Sequence, residues 1–154
     1  MKMTRNRKSG PRKALAGLLV LGALCGFPAA FAVAQATDGE TVTIELNKLE
    51  PQGEACRAYL VVKNTGEQAF DSLKLDLVMF DKGGVVAKRL AVQAAPLPVG
   101  KTSLKVFDVE GHGCADIGSI LLNDVLDCTP APEAPGGCLA RIAVSARGEV
   151  SFLK

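Results

Sequence analysis

From residue 41 onward the chain alternates between apolar and polar positions in short runs separated by turn-forming residues. Val42, Ile44 and Leu46 fall on one parity of residues 41–46, with Thr43 and Glu45 on the other. A period of two lines one face of an extended strand, so this run predicts a strand with one buried side. Residues 56–63 predict a second strand, and the consecutive Leu60, Val61 and Val62 suit one buried on both sides. Residues 72–80 predict a third, with Leu73, Leu75, Leu77 and Met79 toward the core and Lys74 and Asp76 toward water. Residues 85–92 follow as a fourth, whose Lys88 and Arg89 mark an edge. Residues 102–109 predict a fifth.

The later elements are less regular. Residues 117–126 predict a sixth strand, with a short helix over Ile120-Leu121-Leu122-Asn123-Asp124-Val125-Leu126 as the alternative. Residues 139–146 predict a seventh, with Ile142 and Val144 inward and Arg141 outward. Arg147-Gly148 reads as a two-residue hairpin loop into a last strand at 149–153. Between the runs lie Asn64-Thr65-Gly66-Glu67, Asp81-Lys82-Gly83-Gly84 and Pro96-Leu97-Pro98-Val99-Gly100, where Gly supplies positive φ cheaply and Pro punctuates. Seven or eight short strands without a sustained helical stripe predict an all-β fold, an immunoglobulin-like β-sandwich over residues 41–154. Closure into a small barrel is the alternative. The chain shows no internal repeat and no second domain.

The first 34 residues have a different character. Lys2, Arg5, Arg7, Lys8, Arg12 and Lys13 precede a charge-free apolar run of about 14 residues at 14–27, and small residues lead to Ala32-Val33-Ala34. That order is the order of a secretory signal peptide, and the run is short of the roughly 20 residues a membrane helix needs. Cleavage is expected after Ala34, with Ala32 and Ala36 as alternatives. Leu24 before Cys25 is too large for a lipoprotein box, and without an Arg-Arg pair Sec export is expected, with the twin-arginine route as the alternative. Residues 35–40 read as a flexible tail.

Removing the signal changes the charge. Residues 35–154 keep 12 of the 18 Lys and Arg and all 16 Asp and Glu, a net charge of −4. With no Trp and one Tyr, the chain offers neither a basic stripe nor a stacking platform for nucleic acid. No membrane span is expected after cleavage. Four cysteines are left: Cys56, Cys114, Cys128 and Cys138. An even count in an exported domain implies disulfides. Cys128 and Cys138 flank a loop rich in Pro and Gly that a bridge would hold closed, which leaves Cys56 with Cys114. Loop entropy gives the short bridge about 3 kcal/mol and the long one about 4 kcal/mol. A zinc site is the competing use, but no pair has zinc-knuckle spacing and the chain holds a single His. No Cys-x-x-Cys redox pair is present.

Val62-Lys63-Asn64-Thr65-Gly66, then the stretch from Leu73 to Asp81, then Gly83-Gly84-Val85-Val86, together resemble bacterial periplasmic immunoglobulin-like modules, in particular the FxLYD-type domain. Leu77-Val78-Met79-Phe80-Asp81 matches that name motif with Leu for Phe and Phe for Tyr. The resemblance covers roughly residues 41–109. It implies the fold and an envelope location, and no reaction, since such modules share no catalytic residues.

Candidate chemistry is sparse. The only base for a triad is His112, and no Gly-x-Ser-x-Gly elbow or phosphate loop occurs. Asp108, Glu110, His112 and Asp116 fall within nine residues, and two-residue spacing puts side chains on one side of an extended chain. Carboxylates with an imidazole can hold zinc, or calcium through oxygens alone. The plainer reading is an exposed turn. Met79 is the sole thioether left for copper and sits on the apolar face. Tyr59 and Phe107 either surface in a binding patch or fill the core. The function expected is a non-catalytic binding or structural module, periplasmic or secreted, without a cofactor. It would meet another envelope protein through an exposed strand edge. A metal-binding periplasmic protein using the loop 108–116 is the alternative, and a small hydrolase is the weakest reading.

Overall fold

The computed structural model describes residues 39–131 and 136–154, all within the unit Gln35–Lys154. The signal segment, residues 35–38 of the tail and residues 132–135 of the Pro-rich loop lie outside the described residues. Eight strands follow in order: β1 Val42–Gln52, β2 Ala55–Asn64, β3 Ser72–Asp81, β4 Val86–Gln93, β5 Thr102–Val109, β6 Ile117–Thr129, β7 Ile142–Ala146 and β8 Ser151–Leu153. They form two four-stranded sheets, ordered β5-β2-β1-β7 and β4-β3-β6-β8. This is the predicted β-sandwich of immunoglobulin-like kind, and with free edges on both sheets it is not a closed barrel.

The alternating parities become the core. Val42, Ile44 and Leu46 of β1 and Ala58, Leu60 and Val62 of β2 face Leu73, Leu75, Leu77 and Met79 of β3, all buried. Val61 is half-buried on the outer face, so β2 is covered on one side and not on both. The Asn64 turn is anchored from within. Asn64 is fully buried; its side-chain amide donates to the carbonyls of Gln68 (2.8 Å) and Leu97 (3.2 Å), and its Oδ1 accepts from the Gly66 N–H (3.0 Å). The β3–β4 turn uses an acid similarly. Asp81 Oδ1 accepts from the N–H groups of Gly83 (2.8 Å) and Val85 (2.9 Å), and Gly84 takes φ 78°. That φ suits glycine.

The segment 117–126 is strand throughout, as expected over the alternative short helix, and its helix-like spacing comes from bulges: β6 shifts register against β3 at three places. At the first of them, a Cβ on Gly118 would sit 2.5 Å from the Asp81 carbonyl oxygen, so glycine allows the close approach. Next, Arg147-Gly148 does not close a hairpin. β7 pairs parallel with β1 in one sheet, and β8 pairs parallel with β6 in the other. The chain crosses between sheets there, which turn chemistry alone does not reveal.

Asp76 also departs from its expected place in water. Its side chain is on the outer face as alternation requires, yet it is only 2% exposed. Arg89 of β4 grips both carboxylate oxygens at 2.8 Å, and Asn123 of β6 donates to Oδ2 at 2.7 Å. Long neighbours on both flanking strands thus roof a carboxylate that periodicity assigns to water. The Arg89 hydrogen bonds, then the Asn123 bond, hold its pKa below the ordinary value against the opposing effect of burial. A carboxyl with a depressed folded pKa contributes stability that is present above the unfolded value of about 3.9 and lost as pH falls below it. Asp76→Asn is therefore expected to flatten the acid limb of the stability profile below about pH 4. Urea midpoints measured from pH 2 to 7 read this directly; an unchanged acid limb would remove Asp76 from the proton linkage.

Candidate functional site

Each sheet ends in one long and one short edge strand. β7 has five residues and β8 three, whereas β4 and β5 have eight each. β4 slips register against β3, but β5 pairs with β2 through eight consecutive residues without irregularity. The outer side of β5 is therefore a straight, unpaired backbone edge, the geometry that accepts an added strand.

β4 and β5 lie on the same side of the sandwich, in opposite sheets, with a cleft of about 460 Å³ between them. Leu90, Val92 and Phe107 give it apolar walls, and Leu104, Val106, Asp108 and Glu110 also border it. Two lysines span it. Lys88 of β4 donates to the Glu110 carbonyl at the end of β5 (3.3 Å), and Lys105 of β5 donates to the Ala95 carbonyl beyond β4 (3.2 Å). Lys105 pairs in register with buried Leu60, so it points to the inner side of its sheet.

On the outer face the parity of β5 is inverted from what its residue types suggest. Leu104 and Val106 are 58% and 47% exposed. They stand directly across from Val61 and Tyr59 of β2, making one apolar patch along the edge. Tyr59 surfaces, its hydroxyl donating to Glu50 at 2.6 Å, while Phe107 packs against the core. The two rings thus take different fates. Lys48 sits 5.5 Å over the Tyr59 ring and pairs with Glu50 at 2.6 Å. The hydrogen bond to Glu50 raises the Tyr59 pKa, and the bond from Lys48 lowers that of Glu50.

The 108–116 cluster does not converge. Asp108 is on the outer face of β5, held by the Arg57 guanidinium at 2.7 and 2.9 Å, which lowers its pKa. Glu110 is exposed beyond the strand end. His112 and Asp116 line a separate hollow of about 560 Å³ with Asp81, whose Oδ1 is already taken by the two turn N–H groups. Among the described residues, no three His, Cys, Asp or Glu side chains are grouped to hold a metal. The hollow around His112 contains no serine, threonine or thiol. The two-residue spacing holds on a strand, but the chain turns after Val109.

Both disulfides form as expected. Cys56 of β2 bonds Cys114, 58 residues on, and Cys128 bonds Cys138 across the loop. Disulfides of this kind belong to an exported protein. Among the described residues, no helix is long and apolar enough to cross a membrane.

No protein-family model matches the chain, the FxLYD type included, and no curated protein matches it significantly. Solved structures do. IrmA from Escherichia coli matches at a TM-score of 0.50 and 13% identity, over 67% of this chain and 89% of that one. The CARDB domain of the PF1109 protein from Pyrococcus furiosus, solved in complex with di-metal ions, matches at 0.27 and 18% identity, over 47% and 57%. At such identities the first likeness speaks for the shared fold, and the second is slight. The sequence signal for the edge was Lys88 and Arg89; nothing in the residue pattern pointed to β5, because its outward leucine and inward lysine reverse the usual assignment.

Proposed function

We propose that this chain is an exported, non-catalytic binding module of the cell envelope that takes an extended segment of a partner protein along β5. The observation that carries the reading is the eight-residue regular edge of β5, flanked outside by Leu104 and Val106 and inside by the cleft to β4. An added strand gains main-chain hydrogen bonds from the edge, while its alternate side chains meet the patch on one face and the cleft on the other. β7 and β8 are too short to offer the same ladder.

A photoreactive residue placed in cells at position 104 tests this against the same residue at exposed position 145 of β7. A partner adduct is expected from 104 and not from 145. Val106→Arg is expected to reduce that adduct while leaving the unfolding midpoint nearly unchanged, and His112→Ala to leave it intact. Adducts from 145 alone, or loss of the 104 adduct in His112→Ala, would move the site away from β5.

A further inference from the structure

An open, regular edge is a hazard unless something limits what pairs with it. Here the limiting groups are the two lysines of the cleft. Among the described residues neither Lys88 nor Lys105 has a carboxylate within ion-pairing distance; both end on backbone carbonyls at 3.3 and 3.2 Å. Both are half-buried, and both reach across the cleft. Asp108 and Glu110 also border the cleft, but Asp108 is already paired with Arg57, and Glu110 meets Lys88 through its carbonyl. The cleft thus holds two ammonium groups without a paired carboxylate, in a domain whose net charge is −4.

Resting on the strand-addition reading, we propose that Lys88 and Lys105 select the partner: the β5 edge takes an extended segment with apolar residues on its outward face and carboxylates on its inward face. An added strand places every second side chain beside Leu104 and Val106, and the others in the cleft beside Lys105 and Lys88. An inward lysine on an edge deters indiscriminate pairing, because a neutral strand would bury an ammonium without a counter-charge. A carboxylate at that place replaces a long ammonium–carbonyl bond with an ion pair in which both partners are charged. The same device disfavours a second copy of this chain, whose own β5 would bring Lys105 against Lys105. Rejection of the wrong strand and acceptance of the right one come from the same two side chains.

The test uses three capped eight-residue peptides, alternating valine with glutamate, serine or lysine, titrated onto the intact oxidised domain. The glutamate peptide is expected to bind about tenfold more tightly than the serine peptide at low salt, and the lysine peptide more weakly still. Added salt should narrow the gap. In Lys88→Gln/Lys105→Gln the glutamate and serine peptides should bind alike. If the two already bind alike to the unaltered domain, with protection of the β5 amides, strand addition stands and charge selection falls. If none binds, or protection appears away from β5, both readings fall. A dimer of the free domain that dissociates in Leu104→Arg would also overturn the proposal, by assigning the edge to a second copy.

Discussion

Replacing Cys56 and Cys114 together by alanine is expected to cost the domain about 4 kcal/mol of stability. The bridge closes a separation of 58 residues and ties β2 to the turn that launches β6, which is to say one sheet to the other. Without it the unfolded chain regains the entropy of that long loop. A domain of this size has roughly 5–15 kcal/mol in total, so the loss removes a large part of the margin. The matching pair Cys128→Ala/Cys138→Ala closes a separation of only 10 residues and is expected to cost about 3 kcal/mol. Urea unfolding of both variants, without reductant, measures the two losses. A cost below about 1 kcal/mol for the long bridge would mean that burial alone holds the sheets together.

Asn64→Ala is expected to cost about 3 kcal/mol, as large an effect as any single side chain outside the apolar core should give. Its amide and carbonyl tie three backbone groups at the end of β2: two carbonyls, from Gln68 and Leu97, and the Gly66 N–H. Alanine leaves all three without that partner in a place where Asn64 itself is fully buried. Each such loss costs on the order of 1 kcal/mol or more. Asn64→Asp separates the donor from the acceptor role. The carboxylate still accepts from Gly66 but faces two carbonyls, so burial and those dipoles raise its pKa. The folded state then binds the extra proton, and the variant gains stability as pH falls from 8 toward 5. Urea midpoints across that range should show this slope in Asn64→Asp and not in Asn64→Ala. A flat profile in both would show that the amide's donor role is dispensable.

Much of the sandwich was legible because its core strands obey a strict period of two. β2, β3 and β5 stand within a residue or two of their predicted limits. β1 runs on to Gln52, past a register shift between Leu46 and Lys48, and the three-residue step from Leu46 to Leu49 was its trace in the sequence. β6 was ambiguous for the same reason three times over, since each bulge flips the parity that identifies a strand. The disulfides were legible from loop composition. The burial of Asp76 was not, because alternation names a face and says nothing of neighbours long enough to roof it. The edge of β5 was hidden more deeply. Leu104 and Val106 look like core residues and Lys105 like a surface residue until the register with β2 sets Lys105 opposite buried Leu60 and turns Leu104 and Val106 outward. The four acidic and imidazole residues of 108–116 illustrate the converse: sequence proximity suggested a cluster, and the turn after Val109 dispersed it.

In the proposed function a partner strand pairs with the backbone of β5. Amide hydrogen exchange across residues 102–109 measures that directly, with the domain alone and in the complex recovered from the cell envelope. New protection of alternate β5 amides, those not already bonded to β2, with β7 and β8 unchanged, is the predicted result. Protection confined to side-facing surfaces elsewhere, with the β5 amides exchanging as in the free domain, would contradict it.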